Sequence, residues 1–95
     1  MEQYVYLIRP LRANFIDSMT TEESEVMGQH FQYLQDLLKE EKVILAGPCL
    51  DGAFGIVIFQ AESLEHAQKV MQNDPSVIEG VMKAELHPYR VSLSR

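Results

Sequence analysis

Three histidines and one cysteine are the side chains of this chain that could take, give or share a proton near neutral pH, or attack as nucleophiles. His30 has the most informative surroundings. It sits in "MGQHFQYLQDLLKEEKVILAGP", among apolar residues at helical spacing and just before an apolar run that ends in Gly47 and Pro48. An imidazole at the margin of a core can accept on one nitrogen while donating from the other, which general acid-base catalysis requires. The same position also suits a half-buried histidine bonded to a backbone carbonyl, and the residues alone leave both readings open. Asp74 precedes Pro75, the ordinary way to open a helix. A carboxylate that accepts backbone N–H bonds stays ionised, so Asp74 could also orient an imidazole that met it.

The remaining candidates carry less. Gly47 lets a backbone approach a ligand closely, so the Gly47–Pro48 turn is a candidate pocket rim, although turn formation explains the same residues. Arg9 and Arg12 could hold an anionic substrate or could belong to a charged loop. Cys49 has no basic neighbour in sequence and reads as a small packing residue. His66 lies opposite the apolar stripe of its helix, and His87 lies on the more polar face of a strand. No HxxxH or HxH spacing is present, so no metal ligand set can be read from the sequence. A P-loop, a dinucleotide-binding glycine pattern and a serine-nucleophile elbow are likewise missing, which disfavours nucleotide-driven and acyl-enzyme mechanisms.

These residues need elements to hold them. Tyr4 to Ile8 is a strand with no polar alternate, suited to cover on both faces. Thr20 and Glu23 have capping-box spacing and open a helix expected from about Glu22 to Glu41. At about 100° per residue, Met27, Phe31, Leu34 and Leu38 form its apolar stripe, with Val26, His30 and Leu37 flanking it. "KVILAGP" and "AFGIVIFQ" read as two apolar strands. Ser63 caps a second helix with Leu64, Ala67 and Met71 on its inner side. Asp74, Pro75 and Gly80 bound a short turn of helix, and "VMKAELHPYRVSL" alternates as a last strand with Met82, Ala84 and Leu86 on its drier face.

The order β-α-β-β-α-β predicts an α+β, ferredoxin-like split-βαβ sandwich in one domain spanning residues 1–95. Two helices cover one face of a four-stranded sheet. The apolar strands therefore call for a second cover, most simply an identical sheet in a homodimer, with higher assembly left open. Fourteen acidic against eight basic residues give a net charge of -6, which opposes binding to nucleic acid. A single cysteine suits a reducing cytoplasm, and no apolar run approaches the ~20 residues of a membrane span.

The segments "GQHFQYLQDLLKEEKVILAGP" and "ESLEHAQKVMQNDPSVIEGVMKAELHPYRV" together resemble the YCII-related (YciI-like) family, and the similarity runs from the first strand to "HPYRV". The resemblance implies a dimeric α/β barrel with a His-Asp dyad, carried here by His30 and Asp74, and activity of the lyase kind on small ring compounds. The loop "CLDGAF" and the long segment before the first helix depart from the family pattern and would shape the pocket. The resulting expectation is a cofactor-free lyase or isomerase that transfers a proton through His30 and Asp74, with Gly47, Pro48 and Arg9 around the substrate. The alternative is a non-catalytic dimeric domain that binds a small metabolite.

Overall fold

A computed structural model describes residues 1–95. Strand β1 (Glu2–Pro10) leads through a loop with a 3-10 turn (Ile16–Ser18) into helix α1 (Thr21–Lys39). Strands β2 (Val43–Pro48) and β3 (Gly55–Ala61) follow, then α2 (Leu64–Gln72), the single-turn α3 (Pro75–Ile78) and β4 (Met82–Pro88). The sheet order is β2-β3-β1-β4 with every neighbouring pair antiparallel. Each β-α-β connection therefore skips one strand, the ferredoxin-like arrangement.

Local chemistry sets the helix ends. The Thr20 hydroxyl accepts from the Glu23 N–H at 3.1 Å and the Glu23 carboxylate accepts from the Thr20 N–H at 2.9 Å, closing the capping box. Arg12 donates to Ser18 and to Glu23, tying the preceding loop to the start of α1. At the other end the Lys42 N–H reaches the Leu37 carbonyl and the Glu41 N–H reaches that of Leu38, a Schellman closure. Glu41 takes the left-handed position at φ 63°, which is why the helix stops at Lys39, two residues before the expected Glu41. Gly80 (φ 69°) closes α3 in the same way, with the Val81 N–H on the Ser76 carbonyl.

The core lies between the helices and one sheet face. Alternation along β1 buries Tyr4, Tyr6 and Ile8, and β3 buries Val57, Phe59 and Ala61 beside them. Leu34 and Leu37 of α1, Val43 of β2, Ala67 of α2, Met82 of β4 and Phe15 from the loop before α1 complete the layer. The predicted stripe of α1 divides in two. Leu34 is buried, whereas Phe31 and Leu38 are more than half exposed and Leu37 takes their place in the core. The reason is rotational: α1 presents its Leu34–Leu37 side to the sheet, and the Phe31–Leu38 flank stands beside edge strand β2 as the wall of a cleft.

Strand β2 reads as apolar but only Val43 is buried, because it is an edge strand. Its register shifts between Val43, opposite Phe59, and Leu45, opposite Ile58, so Ile44 forms a bulge. The other sheet face carries Val5, Leu7, Ile56 and Ile58 in its middle, with Arg9, Lys83, Glu85 and His87 along the β4 side.

Candidate functional site

Asp74 caps α3 and is fully buried, yet none of its carboxylate capacity is wasted. Oδ1 accepts from the Ser76 N–H at 2.9 Å and from the Ser76 hydroxyl at 2.8 Å. Oδ2 accepts from the Tyr6 hydroxyl at 2.7 Å. His30 Nδ1 lies 2.8 Å from both oxygens. The fold makes this meeting possible because α1 packs along α3, while Tyr6 rises from the central strand beneath them.

Burial is the largest single influence on Asp74 and pushes its carboxyl upward. The hydrogen bonds from His30 and Tyr6, the charge of His30 and the Ser76 N–H together outweigh it and hold the group below the usual carboxylate range. An ionised carboxylate can only accept, so Nδ1 of His30 carries the shared proton. Nε2 is then the nitrogen with a free lone pair when the ring is neutral. It has no partner in the protein, and no buried side-chain nitrogen or oxygen is left unpaired, so Nε2 is open to the outside. Burial first, then the Asp74 charge, raises the Tyr6 hydroxyl far above its ordinary value and keeps it a donor. Tyr33 of α1, pushed up to about 12 by burial, the Asp74 charge and Glu40, donates to the Val70 carbonyl at 2.7 Å and pins α1 to α2.

His30 also lines a cleft of about 700 Å³ between α1, β2 and the loop around the 3-10 turn. That size is in the range of small-molecule sites. Gly47, Pro48 and Cys49 lie in its wall, as do Phe15, Met27 and Phe31. Gly47 and Pro48 thus share the cleft with His30. Arg9 lies outside its lining, with its guanidinium 3.0 Å from Glu85 and over the ring of Phe54, which does line it. Strand parity is the cause, since Arg9 points to the face opposite Ile8. Arg12 is occupied at the loop, His66 faces Glu62 and His87 faces Glu85, so none of them joins His30. No three His, Cys, Asp or Glu side chains converge anywhere in the chain to hold a metal.

Sequence reasoning missed Tyr6 and Ser76. A signal existed for the first, because a tyrosine inside a strand covered on both faces must find a partner for its hydroxyl. Ser76, two residues after an N-cap aspartate, carried no comparable signal.

Comparison with known proteins agrees with the architecture. An uncharacterized protein, YjpA, from Bacillus subtilis (strain 168) is 25% identical over 88 residues, covering 93% of this chain and 96% of that one. Among solved structures, 5-chloro-2-hydroxyhydroquinone dehydrochlorinase (TftG) from Burkholderia phenoliruptrix AC1100, in complex with 2,5-dihydroxybenzoquinone, superposes with a TM-score of 0.68 at 20% identity, covering 92% of this chain and 93% of that one. Muconolactone isomerase superposes with a TM-score of 0.71 at 14% identity, over 97% and 93% of the two chains. At such identities the likeness establishes the ferredoxin-like fold. The YCII-related domain matches residues 3–88, and with nearly the whole chain inside that match, this protein belongs to the YCII-related family.

Proposed function

We propose that this protein is a cofactor-free enzyme of the lyase or isomerase type, in which His30 transfers a proton and Asp74 orients it. One observation carries the reading: His30 Nδ1 is fixed at 2.8 Å on a buried, hydrogen-bonded carboxylate, while Nε2 is left free on a residue lining an apolar cleft. Nε2 takes a proton from a substrate carbon next to a saturated carbon that bears a leaving group or, in the ring-ketone form of a phenol, from a ring hydroxyl conjugated with that carbon. The freed C–H pair becomes the new C=C bond, or the freed O–H pair becomes a C=O bond as the ring C=C pair shifts toward that carbon, and the leaving group departs with its own bonding pair. His30 then returns the proton to water, or to another substrate carbon in an isomerisation. The dehydrochlorinase and isomerase activities named for the two structural neighbours belong to these reaction classes and support the choice.

The test is chloride release from 5-chloro-2-hydroxyhydroquinone, together with solvent deuterium uptake into a panel of ring compounds. His30→Asn and Asp74→Asn should each lower any turnover by about 10²-fold or more, the usual contribution of a positioned acid or base. Full turnover in His30→Asn would refute the role.

A second copy of the chain completes the proposal. Half-buried Val5, Leu7 and Ile56, beside Ile58 which the single chain already buries, form an apolar strip on the sheet face away from the helices, of the kind that a two-fold sheet-to-sheet contact covers. Sedimentation velocity should give a dimer and Leu7→Glu a monomer. A monomeric parent protein at all concentrations would remove this part.

A further inference from the structure

The cleft has an unusual electrostatic character for a site in an acidic protein. Seventeen of its twenty-four lining residues are hydrophobic, and none is Lys, Arg, Asp or Glu. Only His30 and Gln35 bring a side-chain nitrogen or oxygen to it. Its walls remain apolar out to the rim, where Phe31 is 62% and Leu45 49% exposed. Arg9 and Arg12 stand behind the rings of the lining residues Phe54 and Phe15, outside the lining itself, and each is paired with a carboxylate, Arg9 with Glu85 and Arg12 with Glu23. The His30–Asp74 pair carries a net charge of zero or minus one, depending on the ring, and the whole chain carries -6.

We infer that this cleft takes uncharged, largely apolar ring compounds and discriminates against carboxylates and other anions; the inference rests on the cleft being the place where the His30 proton transfer occurs. An anion entering it would lose hydration and find no counter-charge. An unpaired buried charge is among the costliest arrangements in a protein. A neutral ring loses little and covers the exposed walls. His30 and Gln35 then supply the few polar contacts that orient it, the usual division of labour in a small-molecule pocket.

The five methionines allow a test that needs no turnover. Met19, Met27 and Met82 line the cleft, whereas Met1 and Met71 do not. With protein labelled at the methionine methyl carbons, 2-naphthol and 2-naphthoate are titrated at pH 7 as probes with the same rings and different charge. The neutral probe should shift the Met19, Met27 and Met82 methyl signals saturably, leave Met1 and Met71 in place, and bind about ten-fold or more tightly than the anion. Phe31→Arg, at a position exposed enough to leave the fold intact, should improve 2-naphthoate binding by about ten-fold. Equal or tighter binding of 2-naphthoate by the parent protein would overturn the inference, as would 2-naphthol shifting none of the three cleft methyls. His30→Asn should keep 2-naphthol affinity within about three-fold, since the walls supply it. Neutral-probe binding without His30-dependent turnover would remove the proton-transfer reading and leave this one standing. His30-dependent turnover of a carboxylate substrate would do the reverse.

Discussion

Replacing Tyr6 by Phe deletes a single oxygen from the middle of the molecule. Tyr6 is fully buried, its ring meets Phe59 edge-on at 5.6 Å, and its hydroxyl donates to Asp74 at 2.7 Å. Phenylalanine keeps the ring packing, so the change isolates the hydrogen bond. A bond to an ionised group contributes about 1.5–3 kcal/mol. Asp74 keeps donors from Ser76 and His30, which argues for the middle of that range, about 2 kcal/mol. For a domain of this length that corresponds to a loss of about 8–16 °C in Tm. The pH dependence is the sharper part. Asp74 has a folded-state pKa depressed below its unfolded value, so its ionised network contributes stability above about pH 4 and loses that contribution as pH falls through the folded value. Urea unfolding of Tyr6→Phe and of the parent protein should therefore differ by about 2 kcal/mol at pH 7, and the gap should narrow below about pH 4. A gap that is absent at pH 7, or equally large at acid pH, would refute the argument that the hydroxyl acts on a buried carboxylate.

Three further outcomes follow from individual contacts. In Asp74→Asn the acceptor that holds the proton on His30 Nδ1 is weakened, so long-range nitrogen-proton NMR should show a fall in the Nδ1–H tautomer of neutral His30, which dominates in the parent protein. Tyr33 and Tyr6 have raised folded pKa values, so they contribute stability below about pH 10 that is lost as pH rises through their folded values, about 12 for Tyr33. Tyr33→Phe should be less stable than the parent at neutral pH and should lose less stability between pH 10 and 12, as followed by circular dichroism. Glu41 occupies a left-handed position at φ 63° that costs a side-chain-bearing residue about 1 kcal/mol, so Glu41→Gly should raise Tm by a few degrees in calorimetry.

Much of this molecule was legible before any coordinate. Thr20, Ser63 and Asp74 announced three helix starts because capping depends on residues two or three positions apart, and all three side chains accept the expected backbone N–H. Gly80 announced a stop for the same local reason. The alternation of Met82, Ala84 and Leu86 against Lys83, Glu85 and His87 also reads directly, since strand period two is a property of the backbone. The element order then leaves few topologies, and the ferredoxin-like sheet is among them.

What the sequence did not decide was how each element turns about its own axis and what it meets across the fold. Phe31 and Leu38 share an apolar stripe with Leu34, yet only packing determines that Leu34 enters the core while the other two wall a cleft. Arg9 neighbours Ile8 in the chain and lies on the opposite sheet face, outside the lining of the cleft that His30 shares. His30 and Asp74 were each visible as residue types, but their 2.8 Å contact depends on α1 lying along α3. Tyr6 joined them from a strand sixty-eight residues before Asp74. Caps, turns and periodicity are written in neighbouring residues; the meeting of His30, Asp74 and Tyr6 is a long-range property, and only the folded chain brings those groups together.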